Sequence, residues 1–339
     1  MPEPRVAVLI VNHNGAEFLP DCLTALREQT RPADRVLMID NDSSDGSPDM
    51  VRRGFPEVEV IELGRNAGFA AANNAGARAA DDCELIALLN ADAFPGPRWI
   101  EALVRAAGEH PEAAAIASLM LRANERDLLD GTGDLYHVAG IGWRRDHLRP
   151  IAASPHVERA GEVFSACGGA VLYRRDVYLE LGGFAESFVS YAEDTDLAFR
   201  MRLAGHTVWY EPAAVVRHVG SGTTGVASEY SIYHSFRNMV WTWVRNMPGP
   251  LVWAYLPAHL LLNVLNIASY ARSGHARTIL RAKADALRGL PRVLRERRAI
   301  QAERRVGWRE IRSAMNTGTD LVEAMPSVAR LTNFRGKRC

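Results

Sequence analysis

The sequence lacks the features that announce the commonest nucleotide-binding and secreted folds. Only four of its 339 residues are cysteine, Cys22, Cys83, Cys167 and Cys339, and no two form a CxxC pair. Such scatter argues against a disulfide framework or a zinc site and fits reduced thiols in a cytosolic protein. Forty Lys and Arg balance forty Asp and Glu, so net charge makes no case for nucleic acid. The chain opens without a long apolar run: Val6–Val11 breaks at once into Asn12-His13-Asn14-Gly15, too short for the core of a secretory signal. Neither GxGxxG after the first apolar run nor GxxxxGK[ST] is found, which disfavours a dinucleotide dehydrogenase and a P-loop enzyme.

Present instead is an ordinary globular composition, 47% apolar and 24% charged, with room for one large domain and an appendage or two modest domains. Apolar runs at Arg5–Val11, Arg35–Asp40, Val58–Leu63 and Leu85–Leu89 read as buried strands. Helical spacing of Leu19, Cys22, Leu23 and Leu26, ending near Thr30, and the small-residue stretch Ala70–Ala80 separate them. Alternating strands and helices predict a mostly parallel sheet with helices on both faces. Each strand ends in polar residues, and in such sheets ligands sit at the carboxyl edge. Leu85–Pro95, LIALLNADAFP, is the clearest case. Asp92 is either the cap of a strand-to-helix turn or a carboxylate for a divalent cation on a diphosphate. Asp40 and Asp42 are placed to hold base or ribose, whereas Asp45 and Ser47 read as a helix cap cluster.

Beyond the helix Trp99–Gly108 and the strand Ala113–Leu121, the pattern weakens. Residues 122–159 are interrupted by glycines and read as a long connection carrying a hairpin, of the kind that binds acceptors. Glu162–Tyr173 reads as a strand through Gly168-Gly169, where a ligand or another backbone can approach closely. Glu193-Asp194-Thr195-Asp196 then opens a helix. Acidic residues suit a helix start, but three carboxylates in four positions exceed what a cap requires. Asp194, or alternatively Glu193, is the candidate general base for an acceptor hydroxyl. Asp196 and Arg200 are expected to orient the helix. The strand Val208–Val216 leads to His218, a candidate second metal ligand. After it come a Gly/Ser/Thr loop, residues 220–224, able to touch phosphate oxygens, and Arg237, on a helix, able to bind a diphosphate.

Six strings in order, VNHNG at 11–15, IDNDSSDGS at 39–47, RNAGFAAANNAG at 65–76, LNADAFP at 89–95, GGF at 182–184 and YAEDTDLAFRMRLAG at 191–205, resemble family 2 glycosyltransferases of the GT-A fold. Within that family they resemble the bacterial rhamnosyltransferase-like branch. The resemblance, which covers about Val6 to Asn238, implies a Rossmann-like nucleotide-sugar-binding and catalytic domain over residues 1–225; residues 226–339 read as a C-terminal helical region, amphipathic and basic. The resemblance implies an inverting glycosyltransferase moving a sugar from a nucleotide-diphosphate donor by metal-assisted direct displacement. TDP-rhamnose is the favoured donor, and a cell-envelope glycan or polyprenyl-linked sugar the acceptor. By the same resemblance Asn12, Asn14, Asp40, Asp42, Asn66, Gly68, Asn90, Ala91 and Arg237 bind the donor. Asp92 and His218 would hold Mg2+ or Mn2+, and Asp194 would be the base. One departure stands out: the first position of the family's Asp-x-Asp metal motif is Asn90, which removes a charge. That keeps open the alternative of a catalytically silent nucleotide- or sugar-binding subunit of a membrane-associated glycan assembly complex.

The C-terminal third holds the most apolar stretch, Pro248–Ala271. Pro257, His259, Asn263 and Asn266 interrupt it, so it fails as a clean spanning helix. Leu260, Leu261, Val264, Leu265 and Ala268 share one face, which suits an interfacial helix. Arginines dominate residues 272–312, and basic clusters beside an apolar segment are drawn to anionic lipid. Packing on the catalytic domain, or on a second subunit in a homodimer, accounts for the same pattern equally well. The expected location is cytoplasmic, with attachment to the inner face of the cell membrane if lipid is the partner. Residues 324–339 read as a frayed tail. No aromatic-rich nucleic-acid module accompanies the basic stretch.

Overall fold

The computed structural model describes residues 3–220 and 228–318. These fall into two compact units. The first comprises described residues of 1–134, 144–201 and 206–223, and the second those of 135–143, 202–205 and 224–339. The expected boundary at 225/226, the loop residues 221–224 and the tail 324–339 lie outside the described residues.

In the first unit strand and helix alternate as the periodicity predicts. The order is β1 (Val6–Asn12), α1 (Leu19–Arg27), β2 (Arg35–Asp40), α2 (Ser47–Gly54), β3 (Val58–Glu62), α3 (Phe69–Ala79) and β4 (Leu85–Leu89). A short β5 (Ala93–Pro95) leads to α4 (Trp99–Glu109) and the long β6 (Ala113–Arg122). Next come β7 (Leu129–Gly131), then β8 (Asp134–His137) and β9 (Ile141–Arg144), which pair with each other and lie mostly in the second unit, and then β10 (Gly161–Glu162), β11 (Ala170–Arg174), α5 (Arg175–Glu180), α6 (Glu193–Leu203) and β12 (Thr207–His218).

Two local expectations need correction. α1 stops at Arg27 rather than near Thr30, because the Thr30 N–H donates to the Pro97 carbonyl at 2.8 Å instead of continuing the helix. α2 does begin at the Asp45/Ser47 cluster, where the Asp45 carboxylate accepts from the Ser47 N–H at 3.0 Å beside the N-cap Gly46. The expected strand Glu162–Tyr173 is two strands, β10 and β11, with Gly168-Gly169 in the loop between them.

The main sheet runs β10-β12-β6-β11-β4-β1-β2-β3, with β5 paired to β12 and β7 to β6. β1 pairs in parallel with β2 and β4, β2 with β3, and β12 with β6; β11 runs antiparallel between β4 and β6. The strands β1, β2, β3, β4, β6 and β12 therefore deliver their carboxyl ends to one edge. Alternate residues enter the two cores, as a period of two demands. Val6, Val8 and Ile10 join α1 and α4 on one face, and Ala7 and Leu9 join α3, α5 and α6 on the other. Burial on both faces explains why the strands are continuously apolar. In α3 a side chain at Gly76 would meet Ile39 at 2.8 Å. The small residues of that helix thus set how closely it lies on β1 and β2.

The second unit is helical: α7 (Glu229–Asn246), α8 (Gly249–Tyr270), α9 (Ala276–Arg288), α10 (Leu290–Ala302) and α11 (Trp308–Ser313). The Ser228 hydroxyl caps α7 by accepting from the Ser231 N–H at 3.1 Å. α7 packs on α9 and α10, and α8 on α9 and α11. Gly274, at φ 89°, turns the chain between α8 and α9. Trp243 stacks on His259 with ring centroids 4.1 Å apart and donates its indole N–H to the Val138 carbonyl. Residues 249–288, kinked at Gly274, contain a helical segment that by length and composition alone could cross a membrane.

Candidate active site

The loops after β1, β2 and β3 are built from residues near in sequence that satisfy one another. Asn12 is fully buried. Its amide donates to Asp40 Oδ1 at 3.0 Å, Ser43 Oγ at 3.0 Å and Ser47 Oγ at 2.8 Å, and its Oδ1 accepts from the Gly15 N–H. Asp40 spends its other oxygen on the Ser43 N–H. Asn12 and Asp40 thus brace these loops from within. Asn14 and Asp42, both at positive φ, lie exposed on the same loops. Asn14 Oδ1 accepts from the Ser44 N–H at 2.8 Å. Asn66 Oδ1 accepts from Asn41 and from the Gly68 N–H, and Asn41 Oδ1 in turn accepts from the Ala67 N–H.

Asp92 and His218 meet because β5 pairs with the end of β12, where Ala93 faces His218. Asp92 Oδ1 lies 3.3 Å from His218 Nε2, and both side chains are buried. His218 Nδ1 lies 2.8 Å from Asp130 Oδ2 on β7, and Asp130 is gripped from the other side by Arg144 Nη1 at 2.6 Å. Burial disfavours the imidazolium, yet hydrogen bonds to Asp130 and Asp92 and their charges prevail and raise its pKa to about 9. Burial also opposes ionisation of Asp130, but the Arg144 charge and the His218 hydrogen bond hold its carboxyl well below the usual range. Asn90 completes the group, its amide nitrogen 3.4 Å from His218 Nε2. Ala91 is buried and would stand 3.3 Å from a side chain at Gly15.

Gly168-Gly169 ties this cluster to the start of α6. The Gly169 carbonyl accepts from the Asn90 N–H at 2.9 Å, while the Gly168 N–H donates to Asp194 Oδ2 at 3.0 Å. Side chains here would crowd Asn90 at 3.1 Å and Phe69 at 3.3 Å. The expected close approach is therefore made by neighbouring protein groups. Asp194 Oδ1 accepts from the Thr195 N–H at 2.6 Å, and the residue is half-buried. Glu193 is buried, and among the described residues its Oε2 has no hydrogen-bond partner. Burial first, then the Asp194 charge, raises its pKa well above the carboxylate range. Asp196 and Arg200 do orient the helix: Arg200 Nε donates to Asp196 Oδ2 at 2.9 Å and its other nitrogens to the Leu181 and Gly183 carbonyls. Val189, Tyr191 and Ala192, just before α6, all have positive φ. Such residues cost about 1–3 kcal/mol each and persist where surrounding structure over-determines them. Gly68 supplies part of that surrounding: a side chain on it would meet Val189 at 2.7 Å.

A sequence profile for glycosyl transferase family 2 matches residues 7–182. The chain belongs to that family. Its relatives include an N-acetylglucosaminyl-diphospho-decaprenol L-rhamnosyltransferase of Mycobacterium tuberculosis, 29% identical over 250 residues, 67% of this chain and 80% of that one. An O-antigen chain rhamnosyltransferase of Salmonella typhimurium is 25% identical over 218 residues, 63% of this chain and 66% of that one. Among solved structures, the mannosyltransferase PcManGT of Pyrobaculum calidifontis, in complex with GDP-Man and Mn2+, matches with a TM-score of 0.55 at 18% identity, covering 98% of this chain and 88% of that one. The glycosyltransferase thus has the GT-A fold with a C-terminal helical region, and the two relatives are named rhamnosyltransferases. Membership sets aside the alternative of a silent binding subunit.

Sequence reasoning missed Asp130 and Arg144 in this glycosyltransferase. Asp130-Gly131 reads locally as turn chemistry, and only β7 pairing with β6 brings it to His218. Gly131 also admits Arg144, whose side chain occupies the space a Cβ there would take. Arg237, expected at a diphosphate, belongs to the second unit. Its guanidinium lies over the Trp241 and Tyr233 rings and donates to Asn238 Oδ1 at 2.9 Å. No cluster of three or more His, Cys, Asp or Glu that could ligate a metal occurs among the described residues. The donor set of Asp92 and His218 nonetheless fits a cation that takes its remaining ligands from substrate phosphates and water, since Mg2+-type sites need only one or two protein donors.

Proposed function

We propose that the protein is an inverting transferase that moves a sugar, rhamnose from TDP-rhamnose by preference, to a cell-envelope glycan or polyprenyl-linked acceptor. One observation carries the reading. The Gly168-Gly169 dipeptide hydrogen-bonds on one side to the Asp194 carboxylate and on the other to Asn90 of the Asn90-Ala91-Asp92 strand end. A proton acceptor and an anion-handling site thus stand about one dipeptide apart at the carboxyl edge, as direct displacement requires.

In this reading Asp194 takes the proton from the acceptor hydroxyl while its two backbone donors fix the carboxylate's orientation. Asp194 is assigned the base rather than Glu193, because Glu193 is buried whereas Asp194 is half-buried beside Gly168. Asp92 and His218 would hold Mg2+ or Mn2+, which when bound would neutralise charge on the departing diphosphate. Asn14, Asp42 and Asn66 hold base and ribose from the exposed side of loops braced by Asn12 and Asp40. The rhamnosyl preference rests on the two rhamnosyltransferase relatives, and the acceptor class on the lipid-diphosphate substrate that one of them is named for. The second unit serves the acceptor side at the cytoplasmic face of the membrane.

A thermal-shift panel of TDP, UDP, GDP and CDP, each with and without Mn2+, tests the donor site, because a ligand that binds only the native state raises its melting temperature. The expected result is a Mn2+-dependent shift largest for TDP. Equal shifts for all four, or none, would overturn the donor assignment. Release of TDP from TDP-rhamnose in the presence of a lipid-diphosphate acceptor then tests transfer.

A further inference from the structure

Helix α8 is amphipathic the wrong way round for a protein in water. Its polar residues His259 and Asn266 are buried, and His259 Nδ1 lies 2.8 Å from the Ala139 carbonyl. Asn263 turns its amide back onto the His259 carbonyl at 2.8 Å. The residues left outside are Trp253, Leu260, Leu261, Val264 and Leu265, between 40% and 78% exposed. From Pro248 to Ala271 the sequence holds no Asp, Glu, Lys or Arg, so nothing charged interrupts this face along a helix of about 33 Å. A surface helix normally shows water its polar side, and a contiguous exposed apolar face marks an interaction site.

The neighbouring helices indicate the partner. On α9 the exposed positions are Arg277, Leu280, Arg281, Leu287 and Arg288, a stripe that alternates leucine with arginine at helical spacing. On α10, Leu294, Arg295 and Arg298 are exposed likewise. Between Gly249 and Ala302 there are eight arginines and one lysine against two acidic residues, Asp285 and Glu296. Both acids are already ion-paired, Asp285 with Arg288 at 2.6 Å and Glu296 with Arg245 at 3.3 Å. An uncharged apolar face with an excess of arginine over acid on the adjoining helices, Arg277, Arg295 and Arg298 exposed among them, is complementary to acyl chains beneath anionic headgroups. A second copy of this chain would present the same positive charge to itself.

We infer that the exposed face of α8, with the arginine stripes of α9 and α10, is a docking surface for an anionic lipid bilayer, on which the second unit lies without crossing it. α8 does not cross, because one side of it is committed to protein through Leu251, His259, Leu262, Asn266 and Tyr270. The inference deepens the reading of a membrane-borne acceptor, but its support is independent of the donor site.

The test is flotation of the full chain with vesicles of phosphatidylcholine alone and of phosphatidylcholine with phosphatidylglycerol, at low and high salt. Wild-type protein is expected to float with the anionic vesicles and to bind at least tenfold less when salt is raised or phosphatidylglycerol omitted. Leu261→Ser/Val264→Ser should reduce flotation at least tenfold, and Arg277→Gln/Arg298→Gln should reduce it only where phosphatidylglycerol is present. These residues are exposed, and circular dichroism with the nucleotide thermal shift checks that both variants stay folded. Absence of wild-type flotation, or flotation untouched by Leu261→Ser/Val264→Ser, overturns the inference. So does a wild-type dimer that the same variant converts to monomer, which would assign the face to a second copy. Failure of the nucleotide shift with intact flotation would remove the donor assignment and leave the docking surface standing.

Discussion

The two halves of the proposed active site are built on different plans. On the donor side, Asn12, Asp40, Ser43 and Ser47 lie within 35 residues of one another and satisfy each other. On the transfer side, Asp92, Asp130, Arg144, Gly168, Asp194 and His218 are gathered from across the chain, with 88 residues between Asp130 and His218 alone. The donor side is a set of turns that are braced before any ligand arrives. The transfer side holds charge in register through strand pairing and keeps buried carboxylates ionised by pairing them with cations. Substitutions on the first should act chiefly on loop rigidity and donor affinity, and on the second chiefly on rate and metal affinity.

The largest effect is expected from Asp194→Asn. It keeps an oxygen to accept one backbone N–H but removes the proton acceptor, so turnover should fall about 10²–10⁴-fold while nucleotide binding by thermal shift stays at the wild-type level. A parallel loss of nucleotide binding would break the division between the halves. Asp130→Asn comes next. An outer-shell carboxylate that orients a histidine ligand is worth about 10–100-fold in metal affinity, so Mn2+ binding measured by electron paramagnetic resonance should weaken by that factor. Nucleotide affinity without metal should not change. Asn12→Ala removes a fully buried amide that serves four partners and should lower stability by about 1–3 kcal/mol, measured by urea unfolding. Its effect on turnover of the folded enzyme should be the smallest of the three.

The contrast also explains what could be read in advance. The strands of the first unit, their polar ends and the parallel sheet followed from apolar runs, because burial on both faces imposes that pattern. Asp194 and Asp92 stood out because surplus carboxylates have a chemical meaning at a helix start or strand end. The carboxylates Asp40 and Asp42 looked equivalent in the sequence. The structure separates them, since one is buried in bonds to Asn12 and Ser43 and the other is exposed at φ 69°. Asp130 and Arg144 could not be found by spacing, because their meaning arises only when β7 lies against β6. For α8 the apolar face was legible, but not that His259 and Asn266 were drawn inward by α8's packing within its own unit.

The smallest effect, and the sharpest check on the donor side, is Asp42→Ala. Asp42 lies exposed in a left-handed conformation, which Asp tolerates better than Ala, and its neighbours Asn41 and Ser43 are held by bonds of their own. The substitution should therefore lower the unfolding free energy by about 1–2 kcal/mol. If its carboxylate hydrogen-bonds the base or ribose, donor KM should rise about tenfold, equivalent to about 1.4 kcal/mol, with kcat nearly unchanged, because contacts equal in ground and transition states move KM alone. A fall in kcat with KM unchanged would mean that the donor loops take part in the transition state, and the boundary between a braced binding half and a reacting half would have to be redrawn through Asp42.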